Sequence, residues 1–118
     1  MSFQNVLREV VEKVDGAVSA MIIGTDGIPV EGYGKEDLLN LDDLGAESSA
    51  MIRDINLASH NLGIGNALEF SISSEKSRIL MRQITPEYYF TLIMRPDGNL
   101  GKGRFVLKTT IPKIEGEF

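Results

Sequence analysis

The sequence predicts an α/β sandwich: a five-stranded antiparallel sheet with helices on both faces, in the order α-β-β-α-β-β-β-α. Three observations carry this. Apolar residues recur at three-and-four spacing near the start, in the middle and near the end of the chain. Two runs, Ala17–Gly24 and Tyr88–Met94, are apolar at successive positions, as in strands buried on both faces. From Ala67 to Met94, three strand-length segments are joined by short turns, the pattern of an antiparallel meander. Doubly buried strands belong in the middle of a sheet that helices cover from both sides.

The chain of 118 residues suits one domain, 1–118. Its 42% hydrophobic and 25% charged residues are those of a folded soluble core. The absence of Cys excludes a disulfide framework and a thiolate zinc site. No basic segment followed by an apolar run opens the chain, and no apolar stretch approaches the roughly 20 residues that span a bilayer. A cytoplasmic protein without membrane insertion is expected. The net charge of −5 argues against nucleic acid as a partner. That charge is divided: residues 1–75 hold 13 acids and 4 bases, while residues 76–118 hold 4 acids and 8 bases. Such a division can orient an approaching partner.

Taken in order, Ser2 caps a helix to Val14, with Phe3, Val6, Leu7, Val10 and Val14 on one side. Asp15-Gly16 ends it. Ala17–Gly24 is the first strand, Thr25-Asp26-Gly27 a turn, and Ile28–Tyr33 the second strand. Pro29 has no amide proton, so this strand belongs at an edge. Lys35–Leu39 is an acidic connection. After the long central helix, Ala67–Ser73 alternates as a half-buried strand. Ser77–Ile84 follows the turn Ser74-Glu75-Lys76. Tyr88–Met94 follows the turn at Pro86. A last helix starts at Leu100, with Asp97 or Asn99 as cap, and Pro112 ends it or bends its last turn. The tail from Glu115 reads as loose.

The long helix runs from the caps Asn40, Asp42 and Asp43 to the stop at Gly63. Leu44, Ser48, Met51, Ile55, Ala58 and Leu62 line one side, flanked by Ile52 and Ser59. The small residues in this row allow a second helix to come close.

This order, with the stretches VDGAVSAMIIGTDGIPVEGY, NLGIGNALEFSISSEKSRILMRQI and YYFTLIMRPDGNLGKGRFVLKTTIPKI, resembles the roadblock / dynein-light-chain family over nearly the whole chain. It is most similar to short prokaryotic, MglB-type regulators of a small Ras-like GTPase. The resemblance implies a roadblock, profilin-like fold and a homodimer. In that dimer the strand after the long helix pairs with its twin, and the two long helices lie antiparallel. Here the corresponding interface residues are Met51, Ile55, Ala58, Leu62, Leu68 and Phe70. The surface expected to meet the GTPase is Asp42, Asp43, Glu47, Ser48, Met51 and Ile52. Gly101 and Gly103, early in the last helix, depart from the pattern and weaken that helix by about 1 kcal/mol each relative to Ala.

No constellation points to catalysis or a cofactor. His60 is the only His, and its neighbour Ser59 points elsewhere on a helix. Gly98 and Gly101-Lys102 lack the spacing and the hydroxyl of a phosphate loop, and Gly63-Ile64-Gly65 lacks the third glycine of a dinucleotide fingerprint. Asp42, Asp43 and Glu47 sit in no Ca²⁺ loop and read as helix caps. Arg53 reads as a solvated side chain rather than an arginine finger. The expected function is a non-enzymatic homodimer that binds and regulates a small Ras-like GTPase. The alternative is a structural adaptor dimer with no effect on nucleotide chemistry.

Overall fold

In the computed structural model, residues 2–34 and 40–118 are described, so the acidic connection Lys35–Leu39 lies outside the described residues. Helix α1 (Phe3–Lys13) begins where the Ser2 side chain accepts the Asn5 amide proton, and it buries Leu7, Val10 and Val11. The chain then turns at Gly16 with φ +85°, where an added Cβ would stand 2.5 Å from the Gly98 Cα. Glycine is required there on both counts.

Strands β1 (Ala17–Gly24), β2 (Pro29–Gly34), β3 (Glu69–Ser73), β4 (Arg78–Thr85) and β5 (Tyr88–Met94) form one antiparallel sheet in the order β2-β1-β5-β4-β3. The two apolar runs, β1 and β5, are adjacent at its centre, as expected. Pro29 does sit in an edge strand, and the register with β1 shifts between Ile22 and Ile23, opposite Pro29. β3 is the other edge. It starts at Glu69, two residues after the expected start, because Ala67 is held by side chains instead of by strand pairing.

Helices α1 and α3 (Leu100–Ile114) cover one sheet face, and α2 (Leu41–Asn61) covers the other. The α1/α3 side encloses a continuous core that includes Leu7, Val10, Leu80, Phe90, Leu92, Leu107 and Ile114. Under α2 the apolar layer is smaller: Met21, Ile23, Ile52, Met81 and Tyr89, with Val18, Leu44 and Ile93 beside them.

At the C-terminal end one of the two alternatives for Pro112 is excluded and one expectation is corrected. Pro112 does not end α3. The helix continues to Ile114, because burial of Ile111 and Ile114 against the core holds the last turn despite the missing amide proton. The tail is not loose either. Glu115–Glu117 forms a 3-10 turn, and the Phe118 ring stacks on Phe3 at 5.2 Å between centroids and lies tilted by 40° against Tyr88 at 4.7 Å. Asn99, one of the two expected caps, accepts the Lys102 amide proton. At Gly103 an added Cβ would lie 3.3 Å from Met94 and 3.4 Å from Leu80 and Leu92, so this glycine lets α3 lie close on the sheet.

Candidate protein-interaction surface

The Asn40 side chain starts α2 by accepting the Asp42 and Asp43 amide protons at 2.9 and 3.1 Å. Asp42 and Asp43 then lie in the first turn, where their charge complements the helix dipole. At the far end Gly63 adopts φ +75°; its amide donates to the His60 carbonyl, and the Ile64 amide donates to the Ser59 carbonyl. These two bonds are the C-terminal closure that a left-handed glycine permits.

The face of α2 that meets the sheet is lined by Gly45, Ser48, Ser49, Ile52 and Ser59. Small side chains let the helix sit close, and Ile52 supplies the main apolar anchor. Two buried hydroxyls on this side, Ser48 Oγ and Thr91 Oγ1, have no hydrogen-bond partner among the described residues. Ser48 and Ile52 were expected on a partner-facing surface. Both have 0% exposure and face the sheet, which removes them from it.

The connector from α2 to β3 is tied down by side chains. Ser59 donates to the Gly65 carbonyl, and His60 Nε2 lies 2.7 Å from Asn66 Oδ1. Asn56 Oδ1 accepts the Ala67 amide proton at 2.7 Å, while the Tyr89 hydroxyl donates to the Ala67 carbonyl at 2.6 Å. The Asn56 amide in turn donates to the Tyr89 hydroxyl at 3.2 Å. Burial raises the Tyr89 pKa above its ordinary 10.0, and the Asn56 hydrogen bond offsets part of that rise. Sequence reading missed this clasp; an Asn facing a Tyr 33 residues later carries no local signal.

Beside this fixed connector, Leu62, Ile64 and Leu68 stand exposed at 74%, 73% and 60%. With Ile55 and Ala58 they wall a groove of about 530 Å³ between α2 and the start of β3. Ala58 is exposed and Ile55 half-buried. Met51 and Phe70 are half-buried against the core under α2, so they form the inner margin of the surface and not its crest. A second groove, about 240 Å³, lies nearer the helix start. Leu44, Met51 and Ile79 form its floor, and Asn40, Asp43 and Glu47 its rim. Asp42, Asp43 and Glu47 are all exposed. Among the described residues β3 pairs only with β4, which leaves its outer backbone edge open, with Ile72 exposed beside it.

The charged groups nearby are engaged on other sides. Arg53 donates to the Thr25 carbonyl at 2.9 Å, on the flank of α2 away from the grooves. Glu69 meets Arg82 at 3.0 Å and Arg104 at 3.1 Å, which ties the start of β3 to β4 and α3. The expected turn at 74–76 would set Glu69 opposite Met81; the loop runs one residue longer, Ser73 faces Arg78, and Glu69 therefore faces Arg82. Among the described residues, no group of three or more His, Asp or Glu is placed to hold a metal ion, and no helix is long and apolar enough to cross a membrane.

No protein-family model and no curated protein matches the chain. Solved structures do. MglC from Myxococcus xanthus is 37% identical over 100% of both chains, with a TM-score of 0.72. A Roadblock/LC7 domain from Streptomyces avermitilis is 12% identical and covers 99% of this chain and 98% of its own, with a TM-score of 0.89. The chain belongs to the roadblock family. Another roadblock-like structure, MglB from Myxococcus xanthus, is 12% identical over 98% of this chain and 86% of its own, with a TM-score of 0.88. Backbone agreement and sequence agreement thus run in opposite directions among these roadblock relatives.

Proposed function

We propose that this roadblock chain forms a homodimer and, as that dimer, regulates a small Ras-like GTPase without catalysing a reaction itself. One observation carries the reading: the apolar flank of α2, through Ile55, Ala58 and Leu62, is continuous with the open edge of β3 and the exposed Leu68. An open strand edge beside exposed leucines invites a partner. A two-fold axis lets the same patch on a second copy satisfy both at once. That is the arrangement the family resemblance implies, with twin strands paired and twin helices antiparallel.

The GTPase surface in this reading is the start of α2: Asp42, Asp43 and Glu47, with Met51 at the groove floor. Switch loops are ordered by the γ-phosphate and Mg²⁺, so a partner that touches them feels the nucleotide state. A tenfold preference needs only about 1.4 kcal/mol of differential contact. The test is titration of this protein against a cognate GTPase loaded with GDP or with a non-hydrolysable GTP analogue. At least tenfold different affinities are expected, with no GTP turnover by this chain alone.

The second reading, an adaptor dimer with no effect on nucleotide chemistry, is favoured by the placement of Arg53. Its guanidinium is bonded to the Thr25 carbonyl on the other flank of α2, so it offers no cationic finger to the proposed contact. Equal affinities for the two nucleotide states select this reading.

A further inference from the structure

The outer ridge of α3 lies on the sheet face opposite α2. The helix carries no acidic residue from Leu100 to Ile114, and Lys102, Phe105 and Lys108 are all exposed. Phe105 keeps 60% of its surface in solvent, with the Lys102 ammonium 5.6 Å from the ring centroid. Lys102 and Lys108 lie three residues to either side, about 4.5 Å each way along the helix axis. The ring therefore stands between two lysine positions, with the Lys102 ammonium against it.

One exposed apolar side chain needs no explanation by itself. What sets this one apart is a matching recess on the same chain. The groove at the start of α2 has an apolar floor of Leu44, Met51 and Ile79, a carboxylate rim of Asp43 and Glu47, and a volume of about 240 Å³, the scale of one aromatic side chain. Asp43 and Glu47 have no ion-pair partner among the described residues.

We propose that Phe105 of one copy seats in this groove of a second copy, with Lys102 and Lys108 meeting Asp43 and Glu47. Ring and groove are different patches, so the contact is heterologous and adds copies beyond any two-fold dimer. The charge division along the sequence has the sign this contact requires, basic knob to acidic recess. Because the attraction is between exposed charges, salt weakens it. One consequence rests on the functional reading above: the rim of this groove is also the proposed GTPase surface, so assembly and GTPase binding exclude one another.

The experiment is sedimentation velocity of the full chain over the micromolar range, at low and high salt. Species larger than a dimer are expected at low salt and lost at high salt. Phe105→Ala abolishes them, as does the pair Lys102→Glu and Lys108→Glu, or the pair Asp43→Lys and Glu47→Lys. All four charge reversals in one chain restore them. Absence of such species at low salt, their persistence in Phe105→Ala, or failure of the four-fold reversal to restore them overturns the proposal. So does Phe105-dependent binding to phosphatidylserine vesicles without any larger species, which would assign the ridge to an anionic membrane. Ile55→Glu distinguishes this contact from the proposed dimer. Salt-sensitive, Phe105-dependent association that survives Ile55→Glu supports the knob contact independently of the dimer.

Discussion

Beneath α1 and α3 the sheet meets a continuous apolar layer, from Leu7 through Phe90 and Leu107 to Ile114, all fully enclosed. Beneath α2 it meets glycine and three serines around a thinner core, and the hydroxyls of Ser48 and of Thr91 in β5 have no partner among the described residues. The first face is complete within one chain. On the second, α2 is anchored at Ile52, yet its neighbouring flank and the β3 edge remain open. Substitutions under α1 and α3 should therefore cost stability of the single chain, whereas those on the open flank of α2 should cost the proposed dimerisation.

The largest effect is expected on the closed side. Leu107→Ala removes a side chain with 0% exposure and leaves a cavity, costing about 2–5 kcal/mol. Denaturant unfolding checks this, and a loss under about 1 kcal/mol would mean that the α1/α3 layer repacks freely. Next is Ile55→Glu on the open flank. An unpaired carboxylate buried at the proposed dimer contact should cost several kcal/mol of association, whereas Arg53→Glu, on the other flank, should cost under about 1 kcal/mol. Equilibrium sedimentation compares the two variants, and equal effects would place the dimer on a different face.

A smaller effect is expected at the clasp. Tyr89→Phe deletes the donor to the Ala67 carbonyl and the acceptor for Asn56, a loss of about 1–3 kcal/mol. Amide exchange should quicken first at Ala67. The pH dependence has a definite sign. Because the folded Tyr89 pKa lies above the ordinary 10.0, the protonated phenol favours the fold. Its contribution is complete below pH 10.0 and is lost as pH climbs from there through the raised value. Tyr89→Phe should remove that component of alkaline unfolding, and an unchanged alkaline profile would count against it. Smallest is Ser48→Ala, which deletes an unpaired buried hydroxyl and should be neutral or stabilising by under about 1 kcal/mol in thermal melts. Marked destabilisation would mean that this hydroxyl has a partner after all.

Much of the fold was legible because periodicity reports burial. β1 and β5 were placed centrally from unbroken apolar runs, and β2 at an edge from Pro29. The site was less so. The face α2 turns to the sheet is made of Gly45, Ser48, Ser49 and Ser59, which read as polar or neutral in sequence but are buried by closeness of fit. That is why Ser48 and Ile52 were assigned to a partner surface when they belong to the seam. Leu62, from the helix row, and Leu68, from the strand, are exposed, while Phe70 lies under the helix. The clasp on Ala67 and the stacking of Phe118 depend on long-range proximity, for which no local pattern exists.

The stack of Phe118 on Phe3 has a practical consequence for labelling and chain rewiring. It brings the two ends of the described chain together at one corner, on the α1/α3 side and across the sheet from α2. A fluorophore or affinity label at either end therefore occupies the same quarter of space, on the sheet face opposite α2. Neighbouring ends also suit circular permutation. A short linker joining them, with new ends opened in the exposed hairpin turn at 74–76, would reorder the gene while keeping every strand neighbour in the sheet.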